Sequence, residues 1–138
     1  MVDPPVTLDA AGLEVLDPAE CRRLLEAGGV GRVALPGDPP VVRPVNFVLD
    51  GDRIVIRTGP GSLSHAAERR TSATFEVDGV RNVDHRGWSV VATGRLSVVE
   101  PDDRVLRLPL RAWAPRTRDR FVAIVVDALS GRRLTGRP

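Results

Sequence analysis

The stretch RIVIRTGPGSLSHAAERRTSATFEVDG, residues 53–79, is the part of this sequence that best indicates its fold and its site. It contains an apolar strand that ends in Arg57 and Thr58, a Gly-Pro-Gly-Ser turn, a short helix and a second apolar strand. A strand end with a guanidinium and a hydroxyl, next to a glycine turn with free backbone N–H groups, is typical of a phosphate site. The stretch therefore predicts that an anionic cofactor binds here.

The turn itself, residues 59–62, has a composition that suits a phosphate. Gly61 lets the backbone approach a ligand closely, and Ser62 can cap the following helix or donate a hydrogen bond to a phosphate oxygen. The turn matches neither a P-loop nor a dinucleotide fingerprint. The local sequence therefore leaves two interpretations of Arg57 open, a phosphate ligand and a surface arginine at a strand end.

Length and composition indicate one globular domain. The chain has 138 residues, of which 42% are hydrophobic and 28% charged, and this length suffices for a single core. We expect an extended lead-in at residues 1–13, the domain at residues 14–133 and a tail at residues 134–138. The N-terminus lacks the basic start and apolar core of a secretory signal, and no apolar run approaches the roughly 20 residues of a membrane span. We therefore expect a cytoplasmic protein without a membrane partner.

The spacing of turn residues and apolar residues predicts one helix followed by a sheet. Asp17 and Pro18 form the N-cap and the first position of a helix that ends at Gly28-Gly29. The apolar runs beyond it are rich in Val, Ile, Phe and Thr, and Asp50-Gly51 between two of them is a strong hairpin signal. The predicted strands are residues 31–35, 41–49, 53–58, 71–77, 88–99 and 121–126.

Five or six strands with little helix between them predict a mainly β fold of the α+β type. We expect an antiparallel sheet that closes into a barrel. Short flanking helices are predicted at residues 62–70 and 102–107, and the second must end before Pro109.

Residues that the sequence lacks exclude several kinds of site. Cys21 is the only cysteine, so an intramolecular disulfide is impossible and a cysteine-based zinc site lacks ligands. The only histidines are His65 and His85, so a metal cluster is not expected. All 20 basic residues are arginine, the net charge is +2 and aromatic residues make up 4%, which argues against a nucleic-acid partner. Without a nucleophile elbow or an HExxH motif, enzymatic activity would depend on a bound cofactor.

Four features outside the turn bear on a site. Asn46 interrupts an apolar strand, and its amide either bonds a neighbouring backbone group or contacts the polar edge of a planar ligand. Pro44 predicts a sheet edge or a bulge. Trp88 opens a strand and belongs either to the core or to a site. Trp113 lies in a loop, residues 104–120, with six arginines and one aspartate, which favours a solvated or intersubunit surface or contact with an anionic ligand.

The order of these segments resembles the pyridoxamine 5′-phosphate oxidase-like family of flavin-binding split barrels, in particular its small actinobacterial members. The resemblance covers residues 14–133, and the order and spacing of its motifs are more specific than any one of them. The motifs are Asp17-Pro18-Ala19-Glu20-Cys21, Gly29-Val30-Gly31-Arg32-Val33, Pro44-Val45-Asn46-Phe47, Arg57-Thr58-Gly59-Pro60-Gly61-Ser62, Phe75-Glu76-Val77-Asp78, Gly87-Trp88-Ser89-Val90, Ala112-Trp113-Ala114-Pro115 and Asp119-Arg120-Phe121.

The resemblance implies a six-stranded split barrel that forms a homodimer, with flavin mononucleotide (FMN) sites in the grooves between protomers. By position it assigns Arg57, Thr58 and Ser62 to the phosphate, and Pro44, Val45 and Asn46 to the isoalloxazine. Trp88 and Ser89 would close the groove from the partner chain, and Trp113 and Arg118 are candidates for its rim.

Leu63 departs from the family pattern. Members often have a lysine immediately after the Ser or Thr of the turn, and this sequence has Leu63 there. A charged hydrogen bond to phosphate contributes roughly 1.5–3 kcal/mol, which is about one to two decades in affinity. We therefore expect weakened flavin binding.

The function implied by the resemblance is an FMN-dependent oxidoreductase that transfers hydride or electrons between a reduced nicotinamide and a small, unidentified substrate. Two alternatives remain open. One is a deazaflavin-dependent reductase, whose anionic cofactor tail would suit the loop at residues 104–120. The other is a protein that binds a flavin or haem without turnover.

Overall fold

The computed structural model describes residues 5–110 and 119–135. This part of the chain forms eight strands and three short helices. The strands are β1 (Thr7–Leu8), β2 (Glu14–Val15), β3 (Gly29–Leu35), β4 (Val41–Asp50), β5 (Arg53–Thr58), β6 (Ser72–Arg81), β7 (Arg86–Val99) and β8 (Arg120–Thr135). The helices are α1 (Pro18–Glu26), α2 (Ser62–Glu68) and α3 (Asp103–Leu106).

The six longer strands form a closed antiparallel barrel. Neighbouring strands follow the order β8, β5, β4, β3, β6 and β7, and β7 pairs back onto β8 to close the circle. The predicted six-stranded antiparallel barrel with short flanking helices is confirmed. The small strands β1 and β2 extend the sheet at the end of β8, where Val15 pairs with Arg132. None of the helices in the described ranges is long and apolar enough to cross a membrane.

The barrel opens between β4 and β5. Their pairing runs from Asp50 opposite Arg53 to Phe47 opposite Ile56, whereas β4 continues beside β3 as far as Val41. Pro44 therefore has β3 on one side and, among the described residues, no strand partner on the other. The sequence predicts a sheet edge or a bulge at Pro44, and the structure shows such an edge within an internal strand. Proline is typical of such an edge, since it has no N–H to donate to a neighbouring strand.

Helix α1 begins at the predicted cap. The Asp17 carboxylate accepts a hydrogen bond from the Glu20 N–H at 2.8 Å, and Pro18 follows the cap. The Glu20 side chain does not return to the cap as a capping box requires; it accepts hydrogen bonds from Arg23 and from Arg133 of β8. These two guanidiniums, that of Arg23 first, hold the pKa of Glu20 at about 2. The helix is thereby attached to the end of β8.

The main core fills the barrel and is built from alternate strand residues. Phe47 and Phe75 meet edge to face with ring centroids 4.7 Å apart, a favourable arrangement for aromatic pairs. Cys21 of α1 lies in the same core and is fully buried. Burial raises the pKa of the Cys21 thiol, so the group behaves as a small apolar residue rather than a nucleophile.

A second, smaller core lies on the other face of β5 and β8. Val55, Phe121 and Val105 of α3 belong to it. Helix α3 is held over this cluster by Arg104, which forms an ion pair with Asp50 at the start of the β4–β5 turn. The Asp50 carboxylate is 9% exposed and also accepts from Arg53. The turn, the helix and the second core are therefore linked.

Strand β8 is the largest departure from the sequence prediction. It spans Arg120–Thr135, whereas the apolar pattern predicts only residues 121–126. The additional residues are mostly polar or small, so their alternation is weak. They are held as a strand by pairing along β7 up to Thr135 opposite Arg86, a long-range contact that local sequence does not encode.

We predict that Asp50→Asn lowers the free energy of unfolding at pH 7 by about 1 kcal/mol, because the pair with Arg104 is lost. Hydrogen bonds from Arg104, with a smaller effect of Arg53, keep the pKa of Asp50 below its ordinary value. This stabilisation is present above the unfolded pKa of about 3.9 and is lost as the pH falls through the folded value. Urea unfolding at pH 7 and pH 3 measures it.

The control for this prediction is Asp52→Asn, an exposed carboxylate in the same turn, which is expected to leave the stability nearly unchanged. An Asp50→Asn deficit that is as large at pH 3 as at pH 7 would contradict the account.

Candidate cofactor-binding site

A cavity of about 560 Å³ lies where β4 and β5 part. Its size is that of a typical small-molecule site. It is bounded on one side by the first half of β4 and on the other by the end of β5 and the turn that leads into α2. The lining residues are Val30, Arg43, Pro44, Val45, Asn46, Arg57, Thr58, Gly59, Pro60, Gly61, Ser62 and Leu63.

A row of residues crosses four neighbouring strands at the inner end of this cavity. Val30 of β3 pairs with Asn46 of β4, and Arg57 of β5 pairs with Phe121 of β8. Asn46 and Arg57 adjoin the last paired residues of β4 and β5, so the register places them beside each other. Because strand residues alternate in direction, this row lies on the face away from the main core. Both polar side chains have partners in the protein.

Arg57 is held by an aromatic ring. Its guanidinium carbon lies 5.5 Å from the centroid of the Phe121 ring, within the range of a cation–π interaction. Phe121 is itself 4% exposed and belongs to the second core. Thr58, the next residue, lies on the opposite face of β5, is 8% exposed and also borders the cavity. The strand therefore delivers an oriented arginine and a nearly buried hydroxyl residue to the cavity.

The conformation of the glycine turn depends on Gly61. Its φ of +154° lies in a region that other residues rarely adopt. The Gly61 N–H donates to the Ser64 hydroxyl oxygen at 3.0 Å, and the same hydroxyl donates to the Gly61 carbonyl at 3.0 Å. The sequence assigns the helix cap to Ser62, but the structure has Gly61 as the cap and Ser62 as the exposed first helical residue. Ser62 remains on the cavity wall, whereas the Gly61 N–H is already bonded.

Leu63 turns its side chain away from the ligand side. It is 4% exposed and packs in the main core, although the residue borders the cavity. A helix places consecutive residues on different faces, so Ser62 stays at the surface while Leu63 points inward. The position at which the sequence resemblance leads us to expect a lysine therefore contributes packing here and no charge.

The cavity lining is positively charged. Arg43 and Arg57 line it, and no carboxylate, histidine or cysteine is among its described lining residues. Arg43 and Val30 line the cavity but are not among the residues predicted for the site. An arginine inside an apolar run beside Pro44 is the only local signal for Arg43, and Val30 follows only from its pairing with Asn46.

A nearby ionic cluster on β3 and β6 lies outside the cavity lining. Arg32 contacts Glu76 at 3.0 Å and Asp78 at 3.5 Å. Burial raises the pKa of Glu76, and the neighbouring Asp78 carboxylate adds to this effect. The carboxylates are thus paired with their own arginine. Among the described residues there is no group of three side chains suited to a metal ion.

The structure places Trp88 and Ser89 away from this cavity. Trp88 lines a second cavity of about 620 Å³ between the β6–β7 hairpin and the end of β8. Its indole lies against Gly79, where an added Cβ would be 2.8 Å from the Trp88 Nε1. Ser89 pairs with Asp78 on β6 and lines neither cavity. Within one protomer, Trp88 and Ser89 do not line the cavity with the residues that are predicted to hold the phosphate.

The two rim candidates, Trp113 and Arg118, lie outside the described residues. At the described ends of the arginine-rich loop, Arg104 is paired with Asp50 and Arg120 lies 3.9 Å from Glu68. Neither arginine lines the cavity. The structure therefore brings together seven of the predicted site residues: Pro44, Val45, Asn46, Arg57, Thr58, Ser62 and Leu63.

Known proteins are similar to this chain in sequence and in architecture. A family model described as pyridoxamine 5′-phosphate oxidase matches residues 17–133. An uncharacterized protein of Mycobacterium tuberculosis is 31% identical over 127 residues, which cover 86% of this chain and 84% of that protein.

Solved structures are similar as well. The FAD binding protein from Mycobacterium smegmatis has a TM-score of 0.72 and 27% identity over 87% of this chain and 98% of its own. A conserved protein of unknown function from Corynebacterium diphtheriae has a TM-score of 0.70 and 32% identity, over 87% and 96% of the two chains.

We predict that Ser64→Ala opens the turn, because the Gly61 N–H and carbonyl lose their shared partner. The cost should be about 1 kcal/mol of unfolding free energy, and the Gly61 amide should exchange with solvent at least several-fold faster. Hydrogen exchange followed by NMR measures this. Ser72→Ala, at an exposed strand position, serves as the control, and unchanged exchange at Gly61 in Ser64→Ala would refute the role of the hydroxyl.

Proposed function

The chain belongs to the pyridoxamine 5′-phosphate oxidase family, and from this membership we propose that it binds a flavin nucleotide in the cavity between β4 and the 59–63 turn. The observation that carries the proposal is the composition of that cavity. Its described lining combines two arginines, a strand-end hydroxyl and an apolar wall, with no carboxylate among these residues. Such a lining suits a ligand with an anionic phosphate and a planar ring.

In this proposal the phosphate lies at the glycine turn. Arg57 is oriented by the Phe121 ring, so its guanidinium meets an anion with little loss of side-chain freedom. Ser62 is exposed at the start of α2, and its hydroxyl donates a hydrogen bond to a phosphate oxygen. Thr58 supports the same end from the strand.

The ring system lies along β4. Pro44 and Val30 present apolar surface that is exposed in the protomer, and Val45 belongs to the main core and also borders the cavity. The Asn46 amide can both donate and accept hydrogen bonds, which is what the polar edge of an isoalloxazine requires. The arrangement fits a flavin whose ring covers the start of β4.

We propose FMN as the cofactor and an oxidoreductase activity on a small substrate. The bound flavin would supply hydride or electron transfer between a reduced nicotinamide and that substrate. The described cavity lining has no acidic, histidine or thiol side chain, so the contribution of the chain is to bind, to orient and to exclude water. The Mycobacterium smegmatis relative is an FAD binding protein, and FAD contains the whole of FMN.

A second copy of the chain would complete the groove. Val30 and Val42 are 36% and 54% exposed beside the cavity, and apolar side chains of this kind favour burial against a partner. In a homodimer, Trp88 and Ser89 would reach the cavity from the partner chain, which the single protomer does not allow. The role of these two residues in the site thus rests on dimerisation.

We predict that the purified protein contains bound yellow flavin or binds added FMN. Arg57→Ala should weaken FMN binding at least tenfold through loss of a charged hydrogen bond. Flavin fluorescence measures the affinity. Arg23→Ala on α1, whose guanidinium pairs with Glu20, is the matched control and should bind like the parent.

Parallel titrations with FAD and with a deazaflavin cofactor identify the preferred ligand. A steady-state assay with reduced nicotinamide and common acceptors separates an enzyme from a protein that binds without turnover. A protein that takes up none of these cofactors would contradict the proposed function, and equal affinity in Arg57→Ala and parent would place the phosphate elsewhere.

We predict a solution mass of two chains by light scattering, and quenching of Trp88 fluorescence when FMN binds. A Trp88→Phe variant should lose the part of the quenching that is due to this indole, leaving the contribution of Trp113. A monomeric protein that binds FMN with full affinity would contradict the composite site.

A further inference from the structure

The cavity has a second cation that the phosphate assignment does not use. Arg43 of β4 lines it, whereas the sequence resemblance implies that Arg57, Thr58 and Ser62 hold the phosphate. The position after Ser62 supplies no charge, because Leu63 is buried in the main core. The charge of the cavity therefore comes from two arginines on neighbouring strands.

The register places Arg43 on the flank that faces the turn. Strands β4 and β5 are antiparallel and their pairing ends with Phe47 opposite Ile56. Beyond that pair, the β4 residues that lead back to Arg43 lie alongside the β5 residues that lead forward into the turn. The turn and Arg43 thus border the same end of the cleft, and both contribute to its lining.

Arg43 is also available to an anion. Its side chain is exposed, and its Nη1 donates to the carbonyl of the preceding residue, Val42, at 3.3 Å. This bond is long for an N–H donor and uses one of five N–H groups. Among the described lining residues there is no carboxylate that would compete for the guanidinium. Arg57 lies over Phe121, whereas this weak bond is the contact that the described part of the chain shows for the Arg43 side chain.

We propose that Arg43 is a second phosphate ligand, which supplies on β4 the charge that Leu63 does not supply on α2. The inference rests on the proposed flavin binding and deepens it. Arg43 then contacts the phosphate from β4, and Arg57 contacts it from β5. Each guanidinium can form paired N–H bonds to phosphate oxygens. Binding of FMN is consequently stronger than the absence of a lysine in the turn suggests.

The test compares FMN with riboflavin, which has the same ring and lacks the phosphate. Affinities of both for the full-length parent, Arg43→Gln and Arg43→Lys are measured by flavin fluorescence. We expect Arg43→Gln to weaken FMN binding about 10- to 100-fold and to leave riboflavin binding unchanged. Arg43→Lys should recover part of the loss because it keeps the charge. Arg23→Gln is the control for removing a surface arginine.

Three results would overturn the proposal. Equal FMN affinity in parent and Arg43→Gln would mean that Arg43 does not contact the phosphate. An equal loss for FMN and riboflavin would place its effect on the ring or on the fold, and unfolding curves of the variant separate these two. A parent that binds neither flavin would refute flavin binding itself, whereas a parent that binds FMN while Arg43→Gln is unaffected refutes only the role of Arg43.

Discussion

The parting of β4 from β5 beyond the Phe47–Ile56 pair is the constraint on which the site depends. A barrel whose strands stayed paired along their whole length would have no cleft at this position, and its backbone groups would be used in the ladder. Pro44, without an N–H, lies just beyond the point where the pairing ends. The part of β4 that is not paired with β5, and the turn with the start of α2 at residues 59–63, form the two walls of the cavity.

The wall formed by the end of β5 and the turn is supported by packing that is separate from the cavity. Phe121 of the second core lies under Arg57, and α3 covers that core through Val105. Ser64 holds the turn through Gly61 on the other side. Because these supports are buried or hydrogen-bonded, the cavity end that faces the turn is largely preformed. A preformed site binds with less ordering cost than a loop that folds around its ligand.

The fold could be predicted from the sequence where local signals are strong. The Asp17-Pro18 cap and the Asp50-Gly51 hairpin both occur as expected. The second half of β8 could not be predicted, since its polar residues are held by pairing with β7 rather than by their own pattern. Seven of the residues predicted for the site line the cavity together, and they come from two short stretches of sequence. Arg43 directly precedes Pro44, but its place in the cavity lining depends on the parting of β4 from β5, which a sequence does not display.

The most direct measurement of the central claim is an NMR titration of the isotope-labelled protein with FMN, in which backbone amide signals report where the ligand lies. The account predicts the largest shifts at Gly59, Gly61 and Ser62, with Asn46 next, and little change at exposed Val83 on the β6–β7 hairpin. Shifts that leave the turn untouched, or that appear only around the second cavity near Gly79, would contradict a flavin phosphate at the point where β4 and β5 part.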